Sequence, residues 1–288
     1  MTAQLLDGRA IATLVRDELR ALAQDYVKRN GQAAGLAIVC VGAQPASDVY
    51  VRQLLREAER IGVRGTLVTL EQDTIEDDAL RAGIEALNDD DNTQGLLVQM
   101  PLPSNLSPRV VAEAISPRKD VDGISMRSAG NLFLRYPSFV PATCAAVVEL
   151  LDRYGIPIAG RRVAIIGASN TVGKPLAFML LTRDATVTVC HIHTRDVIQW
   201  TRQADIVISA AGKAGLLRGD MIRSGATVVD VGINVLDDGS IVGDADFASV
   251  SQVAGALSPV PGGVGPLTPL MALKQMLLAP RMWETGAS

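Results

Sequence analysis

Four stretches of this chain hold residues whose types and spacing could do chemistry. In VAIIGASNTVGKPLAFMLL a buried apolar strand, a glycine turn and a helix stand in direct succession. Gly167 ends the strand, Ser169 and Asn170 can cap the helix, and Gly173 lets helix pack closely on strand. Free amides and the positive end of the dipole at such a helix start suit a pyrophosphate. The spacing is not G-x-G-x-x-G, so an ordinary strand-to-helix turn stays open as the plainer reading. An NAD site wants an acid about 20 residues further on, where it holds the ribose hydroxyls. Here the next strand ends VTVCHIHTRD, with His191, His193 and Arg195 in place and the first carboxylate at Asp196. Basic groups without an acid incline toward the 2′-phosphate of NADP, although a lone histidine is more often a surface or capping residue.

Asp122 in KDVDG and Gln99 in VQMPLP could meet a ligand, or could simply turn the chain and satisfy backbone at a strand end. The fourth stretch, SDVYVRQLLREAERIG, reads as a helix opening on Ser47 and closing at Gly62. Tyr50 and Leu54 are one turn apart and share a face. Leu54 also fits an apolar stripe with Val51, Leu55, Ala58 and Ile61, which by itself places it in a core.

Positioning these groups calls for an α/β chain. LAIVCVG, TLVTL and GLLVQMPLP alternate with helical segments, and a second alternation runs through RRVAIIG, ATVTVCH, ADIVISAAG and ATVVDVGIN. Such repeats are the mark of parallel sheets with crossover helices. MTAQLLDGRAIATLVRDELR reads as an amphipathic helix and not a signal peptide, and PRVVAEAI and TCAAVVELLDRYG as further helices. SPRKDVDGISMRSAGNL reads as irregular chain at a sheet edge, and the tail MWETGAS as loose. We place one domain over 1–140 with a returning helix from 268–288, and a dinucleotide-binding domain over 141–267.

The 288 residues suffice for two cores, and aromatics make up only 3% against 48% hydrophobic residues, a balance suited to buried parallel strands. A net charge of -4 offers no global basic surface, which argues against nucleic acid as a partner. No apolar run reaches membrane-spanning length. Cys40, Cys144 and Cys190 stand far apart, with neither disulfide nor zinc spacing, and fit a reducing cytoplasm.

Taken together, VQMPLP, KDVDG, GASNTVGKP and PVPGGVGPLT resemble the methylenetetrahydrofolate dehydrogenase/methenyltetrahydrofolate cyclohydrolase family, over about residues 5 to 280. The resemblance implies a folate-binding α/β domain and a Rossmann-like domain with a cleft between them, in a homodimer. It implies oxidation of methylene-tetrahydrofolate by NADP to the methenyl cation, then hydrolysis to the 10-formyl compound. By the same resemblance, Tyr50 stacks on the substrate, Gln99 is the motif glutamine, Asp122 reaches the pterin's amino and amide edge, and these three form the catalytic set. Pro261, Gly262 and Gly263 match the loop over the folate. Gly167, Ala168, Ser169, Ile192 and Ile233 match cofactor positions.

This chain departs from that pattern at several points. The family's catalytic lysine, four residues after the tyrosine, is here Leu54, and Arg52 and Arg56 point about half a turn away. A lysine there can exchange protons with water and ring nitrogen, which leucine cannot, whereas hydride transfer needs mainly two rings held face to face. The family's Pro-Cys-Thr-Pro is Pro141-Ala142-Thr143-Cys144, and its aromatic-His-Pro is Ile124-Ser125-Met126. Residues that bind the 2′-phosphate elsewhere are here Ala168 and Ile192, which keeps NAD open beside NADP. The expectation is a dehydrogenase with its hydrolytic step lost or weakened. The alternatives are a bifunctional enzyme with another proton relay and a non-catalytic folate- or dinucleotide-binding paralogue.

Overall fold

The computed structural model describes residues 3–42, 45–71 and 75–285. In chain order these form β1 (Gln4–Leu5), α1 (Gly8–Asn30), β2 (Gly35–Val41), α2 (Pro45–Ile61), β3 (Arg64–Leu70), α3 (Asp77–Asp89), β4 (Gly95–Val98), α4 (Pro108–Ala114), α5 (Met126–Leu134) and α6 (Ala142–Arg153). They continue with β5 (Arg162–Ile166), α7 (Gly173–Leu181), β6 (Thr186–Cys190), α8 (Val197–Thr201), β7 (Ile206–Ser209), β8 (Thr227–Asp230), β9 (Asn234–Val235), β10 (Ile241–Val242), α9 (Phe247–Ser251), β11 (Ala256–Leu257) and α10 (Thr268–Thr285).

Two compact units result: the chain up to Ala12 with Thr143–Thr268, and Thr13–Ala142 with the chain from Pro269. The first unit holds a parallel six-stranded sheet in the order β1-β11-β8-β7-β5-β6. Its strands β5, β7 and β8 are buried on both faces, as sheets covered by helices require. The second unit holds a parallel three-stranded sheet in the order β3-β2-β4, with Val39, Ile84, Leu96, Val98 and Val111 in one core. A Cβ at Gly95 would lie 2.6 Å from both Met276 Sδ and Val121 Cγ1, so any larger residue there requires those side chains to shift.

Four sequence expectations need correction. The N-terminus begins not with helix but with β1, which pairs in register with β11 (Gln4 with Ala256), so this segment groups with the unit of the six-stranded sheet and not with residues 13–140. A partner some 250 residues away in the chain leaves no local pattern to read. The supposedly irregular chain contains α5, a short helix capped at both ends. Ser125 Oγ accepts the Ser128 amide at 3.1 Å, and the left-handed Arg135 (φ 63°) closes the end. Helix α2 starts at Pro45, ahead of Ser47. Helix α10 runs to Thr285, through part of the tail read as loose, while 286–288 lie outside the described residues. No described helix is long and apolar enough to cross a membrane.

Candidate functional site

In the first unit the sheet's carboxyl edge carries the glycine turn. Gly167 adopts φ +121°, and a Cβ there would meet the Ala210 carbonyl oxygen at 2.2 Å. A Cβ on Gly173 would stand 2.0 Å from the carbonyl oxygen of Gly167 itself. Strand end, turn and helix start are therefore in backbone contact, which a phosphate cradle requires. Exposed Ser169 caps the turn: its Oγ accepts the amides of Val172 (3.1 Å) and Gly173 (3.4 Å). Ala168 is half-buried, and Asn170 is held by Lys174 Nζ at 2.7 Å. Since the Gly167 carbonyl cannot yield without moving the turn, Gly173→Ala is expected to cost about 2–3 kcal/mol and to weaken dinucleotide binding at least tenfold. Thermal unfolding and a cofactor titration check this.

At the end of β6, His191 Nδ1 accepts the His193 amide (3.1 Å) and Thr194 Oγ1 accepts the His191 amide (2.8 Å), which fixes a tight turn. Ile192 is 93% exposed and offers no polar side-chain atom. The turn from His191 to Arg195 bears two imidazoles and a guanidinium but no carboxylate, so the residues present fit a phosphate better than a free ribose diol.

Ile233, 67% exposed, lies just after β8 at the same sheet edge. Sequence reasoning passed over what holds it, the buried pair Asp230 and Asp244. Asp244 takes five donors: Ser209 Oγ (2.9 Å), the amides of Ala211 (2.7 Å), Gly212 (3.2 Å) and Lys213 (2.8 Å), and Asn234 Nδ2 (3.1 Å). Asp230 takes the amides of Gly232, Asp244 and Ala245. Burial pushes the Asp230 carboxyl up to about 6 despite those amides. An aspartate ending a strand in VVDVG was the available signal. Asp244→Asn puts an NH2 against amide donors. It is expected to cost about 2–4 kcal/mol and to raise the KM for the cofactor more than that for the second substrate, as steady-state kinetics with each varied in turn would show.

Pro261 is exposed, while Gly262 and Gly263 are buried against the start of α1. Gly8 donates its amide to Gly262 O (2.9 Å), and a Cβ on Gly8 would overlap Gly263 O. The Val260–Pro261 peptide is cis.

In the second unit, Gln99 and Asp122 leave the small sheet at one end. The KDVDG segment runs parallel to β4, with Asp120 paired to Leu96, and Gln99 comes directly after β4. Helix α2 leaves β2 at that same carboxyl end and brings in half-buried Tyr50. Asp122 Oδ1 accepts the Ala142 amide at 3.3 Å. Burial, with Asp120 adding repulsion, pushes the Asp122 carboxyl up to about 7. Burial and the Asp122 charge raise the Tyr50 phenol well above its usual range. Gln99 donates Nε2 to Met100 O (2.7 Å), whereas its Oε1 is buried without a donor among the described residues. Leu54 is 0% exposed and Val51, Ala58 and Ile61 on the same helix are buried as well, whereas Leu55 of the expected stripe is only half-buried. Cys144, which belongs to the first unit, is buried with its Sγ 3.3 Å from Val172 O.

Residues 6–122 match the family described as tetrahydrofolate dehydrogenase/cyclohydrolase, catalytic domain, and residues 141–282 match its NAD(P)-binding domain. The chain is 48% identical over 273 residues to the bifunctional protein FolD of Herminiimonas arsenicoxydans, covering 95% of this chain and 96% of that protein. It is similar to the crystal structure of the bifunctional FolD methylenetetrahydrofolate dehydrogenase/cyclohydrolase from Campylobacter jejuni. That match has a TM-score of 0.93 at 43% identity and covers 97% of this chain and 99% of that one. The Trypanosoma brucei methylenetetrahydrofolate dehydrogenase-cyclohydrolase, solved with NADP cofactor and inhibitor, matches at TM-score 0.92 and 35% identity over 100% of both chains.

Proposed function

Because the chain belongs to the tetrahydrofolate dehydrogenase/cyclohydrolase family, we propose that it oxidises 5,10-methylenetetrahydrofolate to the 5,10-methenyl compound with NADP and hydrolyses that product poorly or not at all. The observation that carries this reading is the contrast between two sites. The glycine turn brings strand end and helix start into the backbone contact that a dinucleotide cradle requires, whereas Leu54, which the resemblance sets at the family's lysine position, is a fully buried leucine. When bound, the nicotinamide accepts hydride from the folate's one-carbon bridge. The rest falls to the chain's own residues.

Gly167, Ala168 and Ser169 would hold the pyrophosphate, and the backbone at Ile233, fixed through Asn234 and Asp244, would meet the nicotinamide end. His191, His193 and Arg195 supply the donors at the 2′-phosphate, in place of any from Ile192. Tyr50 would stack on the pterin, Asp122 would accept from its amino and amide edge, and Pro261, Gly262 and Gly263 would shape the folate side. None of these steps needs a proton donor near the one-carbon bridge, but ring opening by water does.

The deciding experiment is an optical assay with methylenetetrahydrofolate and each nicotinamide cofactor, tracking reduced cofactor and methenyl product together. Equal rise of both, with methenyl persisting as long as its uncatalysed lifetime and NADP faster than NAD, is the expected result. Reduced cofactor without methenyl build-up would overturn the hydrolytic deficit, and no signal would favour a binding paralogue. One observation favours a second reading: the undonated Oε1 of Gln99 could order a water and sustain slow hydrolysis. Assembly as a homodimer belongs to the same proposal, and a monomeric mass in solution would remove it.

A further inference from the structure

We infer that Gln275, on α10, is a positioning residue for Asp122, clamping the stretch of backbone that orients the Asp122 carboxylate. The inference rests on the reading of Asp122 as the acceptor for the pterin edge. All the residues concerned belong to the second unit. Val140 lies in no strand, so its amide and carbonyl have no ladder to join. Gln275 serves both: its Oε1 accepts the Val140 amide at 2.8 Å, and its Nε2 donates to the Val140 carbonyl at 3.0 Å. One side-chain amide thereby does for this residue what a neighbouring strand would.

Two residues on, α6 starts at Ala142, whose amide donates to Asp122 Oδ1 at 3.3 Å. The ring of Pro141 fixes φ between the two, so the placement of Val140 carries over to Ala142. Gly123, the residue after Asp122, has φ +59°, and a Cβ there would lie 2.6 Å from the Val140 carbonyl carbon. The clamped segment is thus packed directly against the backbone beside Asp122. At 3.3 Å the Ala142 bond is at the long end of its range, so a retreat of a few tenths of an ångström breaks it. While that bond holds Oδ1, Oδ2 accepts no donor among the described residues and is the oxygen left for a ligand's N–H groups. The titratable groups facing this carboxyl are Asp120 on its own segment and Tyr50 from α2, and the Ala142 amide is the donor that works against burial to favour the charged form.

The test is Gln275→Met in the whole protein, which keeps the length and the hydrocarbon of the side chain and removes both bonds to Val140. It is expected to lower kcat/KM for the folate about tenfold, the scale of one hydrogen bond to a charged group, through KM and not kcat. The KM for the cofactor should stay as it is. The pH inflection assigned to Asp122 should move upward from about 7, since the carboxylate loses an amide donor. In an Asp122→Asn background the same substitution should cost less than about twofold, because two residues acting through one group are not additive. A tenfold loss that persists in that background, or an inflection that stays in place, would overturn the inference, since Gln275 would then act through packing and not through Asp122. So would wild-type kinetics in Gln275→Met itself. An Asp122→Asn protein with wild-type kcat/KM for the folate would instead overturn the reading of Asp122 as the pterin acceptor.

Discussion

Leu54→Lys is expected to raise enzyme-dependent hydrolysis of the methenyl compound about 100-fold, the lower end of what a positioned general acid–base group contributes. The helix already sets the residue one turn from Tyr50. The gain has a cost. Leu54 is 0% exposed, so the substitution removes packed hydrocarbon and buries a desolvated amine whose pKa falls, about 2–4 kcal/mol in all. Hydrolysis read from the loss of methenyl absorbance, beside a thermal melt of each variant, checks both parts. A folded Leu54→Lys protein without any gain would show that Ile124-Ser125-Met126 and Ala142, and not the lysine alone, account for the deficit.

For Asp122→Asn the expected result, on its proposed role as acceptor for the pterin donors, is a loss of about 100-fold in kcat/KM for the folate with little change for the cofactor. The pH dependence comes from the raised carboxyl. Folded Asp122 titrates at about 7 and the unfolded residue near 3.8, so the folded state holds a proton that the unfolded chain releases earlier. Stability contributed by the protonated form is lost as pH rises through about 7, while folate affinity grows over the same range because the ionised form accepts both donors. Asp122→Asn should erase that inflection in kcat/KM. It should also be more stable than the wild type at pH 8 by about 1–2 kcal/mol, well short of the full shift because the group is half-buried and screened. An unchanged pH profile in the variant would assign the inflection elsewhere.

Legibility in the sequence tracked the range of the interactions involved. Both strand-helix alternations, the buried strands β5, β7 and β8 and the glycine turn at Gly167 could be read because each is written in neighbouring residues: apolar runs, a glycine where φ is positive, a break in period. Helix α5 escaped because it is short, bounded by caps at Ser125 and Arg135, and leaves its apolar side chains Met126, Phe133 and Leu134 exposed instead of marking a core. Strand β1 escaped because its pairing is with the distant β11. Asp244 is legible as one aspartate, but nothing local announces that five donors from the end of β7, the turn after it and the start of β9 converge on it.

By itself, then, the sequence determined the alternation of elements, the glycine turn at Gly167 and the leucine one helical turn after Tyr50, since these are matters of residue type and spacing. Only the tertiary structure decided that Leu54 is wholly buried, that Gln99 keeps an undonated oxygen among the described residues, that Asp122 sits where a carboxyl resists ionisation and that Asp244 holds the edge of the large sheet. Burial, desolvation and hydrogen-bond closure depend on which distant segments fold against a residue, and spacing along the chain does not record that.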